Sequence, residues 1–304
     1  MLDSVSLDQL RTFISAVDEG SFSAAARKLH RAQSAVSDLI GRLEDQMGVR
    51  LFDRSSRYPV LTLSGTTLLA DARGIIAGVD FMKARAKGMS AGLEAELSVV
   101  VDVLFPMAAI TDVANAFRQQ FPGTPLRLFV EALGATHQRV VDGAASVGIA
   151  ATLPKSPPSL SSERLEGVPL VMVAAHDHPL AAFRGPIPKS ELAKHVQLIL
   201  TDRSPLTAGV EFGILSPSTW HLADLFAKQA FLINGLGWGG MPLHAIERDI
   251  AEGVLVQLSI EDISPDGIIV PMSAVYPTSA PPGPAGRWFI DCLKRWPVTI
   301  PLAV

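Results

Sequence analysis

The sequence predicts an α/β protein that begins with an all-α head, and three observations support this fold class. Two short amphipathic helices with a tight turn between them lie within residues 21–46, inside a predicted head of residues 1–64. Residues 65–90 follow as one helix with a regular heptad pattern. From residue 91 to residue 304 predicted strands alternate with predicted helices, which is typical of a mainly parallel sheet covered by helices on both faces. The length of 304 residues is enough for two or three domains.

The helix pair within residues 21–46 has the pattern of a helix-turn-helix. Apolar residues recur on one face from Phe22 to Leu29 and again from Val36 to Met47, with a turn at residues 30–32. Small alanines in the first helix allow the second helix to cross it closely. The opposite face of the second helix carries groups that can reach base edges in a DNA major groove: Gln33, Ser34, Ser37, Asp38 and Arg42. A plain helical hairpin with a solvated polar face is the alternative.

The basic residues of the chain are concentrated around this helix pair. The net charge is −4, but residues 21–62 hold 7 Lys and Arg against 4 Asp and Glu. Two short predicted strands, Val49–Asp53 and Val60–Leu63, flank an arginine-rich tip, so they predict a wing that contacts the DNA backbone rather than a solvated loop. The predicted DNA contacts are Ser23, Arg31, Gln33, Ser34, Ser37, Asp38 and Arg42, with Arg54 and Arg57 in the wing.

The predicted linker helix carries apolar residues at alternating spacings of four and three. This a/d repeat continues for about three heptads and makes a narrow apolar seam, which favours pairing with a second such helix over packing on its own domain. A helix of residues 63–90 would be about 42 Å long. We therefore predict a homodimer with double-stranded DNA as its partner. The predicted dimer seam consists of Leu68, Ala72, Ile75, Val79 and Met82.

The first 70 residues resemble the amino-terminal signature of LysR-type transcriptional regulators. The resemblance runs from about Leu7 to Leu69 and rests on Ser21–Ala26, Ala35–Ser37, Leu43-Glu44, Gly48–Phe52, Arg54 and Leu61–Gly65. Ala32, Ser34 and Asp38 depart from the residues that are usual in the family. The resemblance implies that residues 91–304 form a periplasmic-binding-protein-like effector domain and that the assembly is a homodimer or a homotetramer. Its first subdomain would hold residues 91–166 and 267–304, and its second residues 167–266.

Ligands in open α/β sheets bind outside the carboxyl ends of the strands, which locates a predicted effector cleft. Leu104 and Phe105 make this cleft apolar, and Arg203 is the local cation. We expect a small, largely apolar or aromatic effector, whose acidic group, where it has one, faces Arg203. A cleft that binds no ligand is the alternative. The predicted cleft residues are Leu104, Phe105, Glu131, Ala132, Thr201, Asp202, Arg203, Ser204 and Trp238, the last in a predicted glycine turn of residues 235–240.

The remaining chemistry-bearing residues favour a regulator that uses no cofactor. His176 and His178 make only a weak metal site, and no arrangement typical of a catalytic triad or of paired catalytic carboxylates is present. The single cysteine, Cys292, fits a core position and a reducing cytoplasm. No apolar run reaches the ~18 residues of a membrane span, and we expect no signal peptide. We therefore predict a cytoplasmic DNA-binding regulator; a small-molecule binding protein or enzyme with a fused helical head is the alternative.

Overall fold

A computed structural model of the chain describes residues 5–53, 59–90, 92–210, 212–264 and 266–296. The chain divides into two compact units, residues 1–88 and 89–304. Within the described ranges, no helix combines the length and the apolarity needed to cross a bilayer.

The head consists of a helical core with a short two-stranded sheet and the start of the linker helix. Ser6 and Gln9 form a capping box at the first helix, and Ser21 caps the second through the backbone N–H of Ala24 at 3.1 Å. Edge-to-face contacts join Phe52 to Phe13 and Phe22 in the core. The elements are α1 (Leu7–Asp18), α2 (Phe22–Lys28), α3 (Gln33–Met47), β1 (Phe52–Asp53), β2 (Val60–Leu61) and α4 (Leu63–Ser90).

The first sheet of the second unit is mixed, and its helices cover both faces. Its strand order is β4-β3-β5-β13-β6; β3 lies parallel to β4 and β5, whereas β13 lies antiparallel to β5 and β6. The helices α5 and α10 cover one face, and α6 covers the other. Its elements are β3 (Leu97–Asp102), α5 (Met107–Gln120), β4 (Leu126–Glu131), α6 (Gly134–Val141), β5 (Val147–Ala151), β6 (Leu160–Arg164), and, near the end of the chain, β13 (Met272–Pro277) and α10 (Pro284–Arg295).

The second sheet of this unit has the order β11-β7-β10-β8-β9, with β12 also paired to β7. The strand β7 is antiparallel to its neighbours, whereas β8 is parallel to β9 and β10. The prediction of mainly parallel sheets is therefore wrong. The elements are β7 (Val168–Ala175), α7 (Lys189–Leu192), β8 (Gln197–Leu200), β9 (Thr219–Leu222), α8 (Leu225–Ile233), β10 (Trp238–Pro242), α9 (Leu243–Ala251), β11 (Leu255–Gln257) and β12 (Ile268–Val270).

The chain passes between the two sheets twice. It leaves the first sheet between β6 and β7 and returns at Pro271, between β12 and β13. Proline fits this crossing because it has no N–H to contribute to either ladder. The two strands on either side of Pro271, β12 and β13, thus belong to two different sheets. This arrangement gives two α/β subdomains with a cleft between them.

The predicted glycine turn of residues 235–240 is in fact a turn followed by a buried strand. Gly235 has a φ of +69°, and residues 238–242 form β10 in the interior of the second sheet. A Cβ atom on Gly237 would lie 2.5 Å from the carbonyl oxygen of Val196, and one on Gly239 would lie 2.5 Å from that of Leu198. These glycines therefore allow β10 to approach β8 closely. From local composition alone, the same glycine-rich stretch predicts a turn.

Candidate DNA-binding and effector-binding sites

Packing against α2 orients the candidate recognition helix α3. Ala25 and Ala26 are buried beneath α3, whose Val36, Ile40 and Leu43 fill the head core. The turn between α2 and α3 places His30 at a φ of +54°, and Ala32 precedes α3 without a side-chain cap. Gly48 ends α3 in the left-handed conformation at a φ of +69°. The apolar face of α3 is thus fixed, and the opposite face points outward.

The outward face of α3 carries the five polar residues that the sequence predicts there. Gln33, Ser34, Asp38 and Arg42 are exposed and Ser37 is half-buried. None of these side chains has a hydrogen-bond or ion-pair partner within the described part of the chain. The face therefore offers amide, hydroxyl, carboxylate and guanidinium groups to an incoming duplex, as direct readout in a major groove requires.

Two further predicted DNA contacts have partners inside the head. The Arg31 guanidinium donates to the Asp8 carboxylate at 2.7 Å, which ties the turn before α3 to α1. The Ser23 hydroxyl accepts a hydrogen bond from Arg27 at 3.1 Å. Arg54 and Arg57, the predicted wing arginines, lie outside the described residues.

Glu44 is a structural residue of the head that the sequence analysis did not distinguish from its neighbours. Its carboxylate is buried and accepts the backbone N–H groups of Leu51 at 2.8 Å and Phe52 at 3.1 Å. It also pairs with Arg50 at 3.1 Å. One buried carboxylate at the end of α3 thereby fixes the start of β1. A glutamate within an amphipathic helix pattern gives no local signal of this long-range contact.

Two residues of the predicted dimer seam on the linker helix α4 pack in the core of their own head. Ala72 is only 3% exposed, so it is used within the head, and the half-buried Leu68 packs against the same core. The remaining positions turn outward: Ile75 is 51% exposed, Met82 is 62% exposed and Val79 is half-buried. Ion pairs of 2.5 Å, Arg11 with Asp80 and Arg73 with Asp18, hold α4 against α1.

A cavity of about 320 Å³ lies in the cleft between the two subdomains, and we call it the interdomain cavity. The first subdomain contributes residues that follow β3 and β5, and the second contributes residues from β7, β8, α8 and β12. This volume is at the lower end of the range of small-molecule sites, about 300–1,000 Å³. The lining is predominantly apolar and includes Leu104, Leu133, Thr152, Leu153, Leu170, Met172, Leu198, Ile199, Phe212, Ile268, Ile269 and Val270.

Most of the predicted effector residues lie elsewhere. Trp238 is 0% exposed and packs in the core of the second sheet, so the prediction that it lines the cleft is wrong; the residue belongs to β10 rather than to a turn. Arg203 is exposed and does not line the interdomain cavity. Leu104 does line it. The predicted cleft residues therefore do not share one cavity.

The other predicted residues divide between two further cavities. Phe105, Glu131 and Ala132 line a larger cavity of about 910 Å³, where Glu131 pairs with Arg139 at 2.5 Å and Phe105 is buried in the first core. Thr201, Asp202 and Ser204 line a small cavity of about 210 Å³.

Two aspartates organise the backbone around the amino terminus of α6. Asp102 accepts the N–H groups of Leu104 and Leu133, each at 3.0 Å. Burial raises the pKa of Asp102 to about 7, although these hydrogen bonds oppose the shift. Asp202, from the second subdomain, accepts the N–H of Ala135 at 2.8 Å and the hydroxyl of Thr207. The bond from Ala135 to Asp202 joins the two subdomains directly.

Lys228 is a candidate effector residue that the sequence analysis missed. It lies on α8, is 5% exposed and lines the interdomain cavity. Its ammonium donates to the carbonyl oxygen of Gly240 at 2.7 Å. Apart from Lys228 and Gln229, every residue of α8 is apolar, and this contrast is the signal that the sequence contains.

Comparisons with known proteins match each of the two units to a family. The family described as "Bacterial regulatory helix-turn-helix protein, lysR family" matches residues 7–66, and the "LysR substrate binding domain" matches residues 90–297. The chain is 29% identical over 269 residues to the transcriptional regulator YhaJ of Escherichia coli, covering 88% of this chain and 90% of that protein. It is 28% identical over 253 residues to the transcriptional activator AllS of Klebsiella pneumoniae, covering 82% and 93% respectively.

Solved structures show the same fold. CrgA, a LysR-type transcriptional regulator from Neisseria meningitidis, superimposes with a TM-score of 0.51 at 24% identity, covering 95% of this chain and 97% of that one. An OxyR variant from Corynebacterium glutamicum gives a TM-score of 0.56 at 23% identity, covering 96% and 92%. With a helix-turn-helix head, a two-subdomain cleft and both family matches in one chain, the protein belongs to the LysR family of transcriptional regulators.

Proposed function

We propose that this regulator responds to a small, largely apolar molecule that binds in the interdomain cavity and changes its affinity for operator DNA. The single observation that supports this is the cavity itself, about 320 Å³ in volume, apolar and lined by both subdomains. A ligand held there contacts both subdomains. If it binds more tightly to one relative orientation of the subdomains, it increases the population of that orientation.

We further propose that the regulator acts in the cytoplasm as a homodimer or homotetramer on double-stranded DNA. The outward residues of α4, Ile75, Val79 and Met82, support pairing of linker helices, because apolar groups at heptad spacing bury area against a second such helix. The exposed polar face of α3 supports direct reading of bases through Gln33, Ser34 and Ser37.

The experiment that tests the effector site fills the cavity with a larger side chain. Thr152 is exposed and lines the interdomain cavity, so Thr152→Trp occupies space there without replacing a core residue. A thermal-shift screen of small apolar and aromatic compounds should find binders of the wild type, since a ligand at a hundredfold excess over Kd stabilises the folded state by about 2.7 kcal/mol. The same compounds should fail to stabilise Thr152→Trp and should alter operator affinity only in the wild type.

The matched control is Thr111→Trp, which puts the same side chain on an exposed position of α5 that does not line the cavity. It should bind the compounds as the wild type does. Binders that stabilise Thr152→Trp and the wild type equally would place the effector outside this cavity.

A further inference from the structure

Lys228 is a buried cation that has no acidic partner among the described residues. The side chain is 5% exposed, and in the described ranges of the chain its one hydrogen bond goes to the carbonyl oxygen of Gly240. An ammonium group has three N–H donors, so two of them have no protein acceptor there. Burial lowers the pKa of Lys228 to about 8, because it removes the ammonium from water.

The backbone of β10 orients the Lys228 ammonium. The carbonyl oxygen of Gly240 accepts the hydrogen bond from the ammonium. Both Lys228 and Gly240 line the interdomain cavity, so this bond holds the ammonium at the cavity wall.

Lys228 is also the charged group of the interdomain cavity. Among the described residues that line it, every other side chain is uncharged, and Gln197 is already engaged. The Gln197 amide oxygen accepts the N–H groups of Leu215 at 2.7 Å and Ser216 at 3.0 Å, and its nitrogen donates to Gly213 at 2.8 Å. A ligand in this cavity therefore meets one strong hydrogen-bond donor in otherwise apolar surroundings.

We propose that Lys228 binds the acidic group of the effector, which is a small apolar molecule carrying one carboxylate. This inference rests on the proposed effector site and specifies its ligand class. The carboxylate supplies the missing acceptor and counter-charge of the ammonium, and the hydrocarbon part packs on the leucine and isoleucine side chains. Lys228 takes the role that the sequence analysis gave to Arg203, which is exposed and lies outside the cavity.

The test compares carboxylic acids with their uncharged amides. Hexanoate, phenylacetate, 3-phenylpropionate and cyclohexanecarboxylate are titrated at millimolar concentration into the full-length protein beside the corresponding amides, with binding followed by calorimetry. At least one acid should bind the wild type about 10–100-fold more tightly than its amide, the effect expected of a charge-assisted hydrogen bond. In Lys228→Met, which removes the charge and leaves an unbranched side chain one atom shorter, acid and amide should bind equally weakly.

Three results separate this inference from the proposed site. If acids and amides bind the wild type equally, or if Lys228→Met keeps the preference for the acid, Lys228 is not the anchor. If the preference is present and Thr152→Trp does not weaken binding, the interdomain cavity is not the site and both proposals fail. If none of the acids binds, the proposed ligand class is wrong. The proposed effector site would still be supported if the wider screen finds compounds whose binding Thr152→Trp abolishes. Lys228→Met should unfold at the same or higher temperature than the wild type, since a buried charge is removed, so lost binding would not reflect misfolding.

Discussion

At the scale of single residues, the exposed side chains of α3 and the paired ones beside it have different roles. Arg31 is held by Asp8, so its charge is partly compensated within the head. Gln33 stands at the first position of α3, exposed and without a partner in the described part of the chain. A free amide can donate one hydrogen bond to a base edge and accept another from it. A paired guanidinium, by contrast, must first give up its bond to the carboxylate.

Gln33→Ala should therefore weaken binding to the cognate operator by about 1–3 kcal/mol and leave binding to random DNA nearly unchanged. Fluorescence anisotropy with both duplexes at one salt concentration measures the two affinities. Asp45→Ala, an exposed change near the other end of α3, is the control and should not reduce specificity. Equal losses on both duplexes would remove Gln33 from the set of base-reading residues.

Glu163 illustrates how one residue joins three elements of the first subdomain. Its carboxylate, on β6, accepts from Arg287 at 2.5 Å and from Tyr276 at 2.7 Å, and it pairs with Lys294. The Arg287 hydrogen bond is the main cause that lowers the pKa of Glu163 to about 2. A carboxylate whose pKa is lower in the folded state than in the unfolded state stabilises the fold above about pH 4.5, the unfolded value.

The Glu163 contribution should be lost as the pH falls from about 4.5 towards 2. Urea denaturation of the wild type and of Glu163→Gln should differ by a constant amount above about pH 5, and the curves should converge below it. Glu261→Gln changes an exposed glutamate of the second subdomain; it is the control and should follow the wild type. A difference that does not change with pH would mean that Glu163 acts through packing and not through its charge.

At the scale of elements, α4 shows how one heptad repeat serves two purposes. Its first apolar positions complete the head core, and its later positions, Ile75, Val79 and Met82, continue the same stripe outward. A helix that leaves its own core with an apolar stripe still exposed buries that stripe by pairing.

Ile75→Asp should break the proposed pairing, because a buried unpaired carboxylate costs several kcal/mol. Analytical ultracentrifugation should show a smaller assembly, and operator binding should weaken because two linked heads bind more tightly than one. Ala77→Asp places the same charge on an exposed position of α4 outside the seam and should preserve the assembly. If Ile75→Asp sediments like the wild type, the subunits associate through another surface.

At the scale of the whole effector unit, a hydrogen bond spans the cleft. Asp202 comes from the second subdomain and accepts the N–H of Ala135, in the first turn of α6 in the first subdomain. A carboxylate at a helix amino terminus is stabilising, so this contact favours the subdomain arrangement of this structure. Asp224 makes a similar bond, to Ala227 at 2.7 Å, but within one subdomain.

Asp202→Ala and Asp224→Ala should each cost about 0.5–2 kcal/mol of stability, the usual effect of removing a helix cap. Only Asp202→Ala should speed amide hydrogen exchange at Ala135 and increase the radius of gyration measured by small-angle scattering, because it alone releases the two subdomains. Equal effects of both variants on these two measurements would show that Asp202 is merely a local cap.

The sequence by itself determined the features that depend on local periodicity. Spacing alone predicts three such features, because each depends on residues a few positions apart: the helix-turn-helix, the linker helix of residues 63–90 and the polar face of α3. The tertiary structure decided which of those residues meet distant ones. Leu68 and Ala72 pack in the head core, and Lys228 lines the interdomain cavity. Trp238 lies in a buried strand, although the glycines beside it predict a turn. These outcomes depend on how closely strands and helices far apart in the chain approach one another, and a short stretch of sequence does not contain that distance.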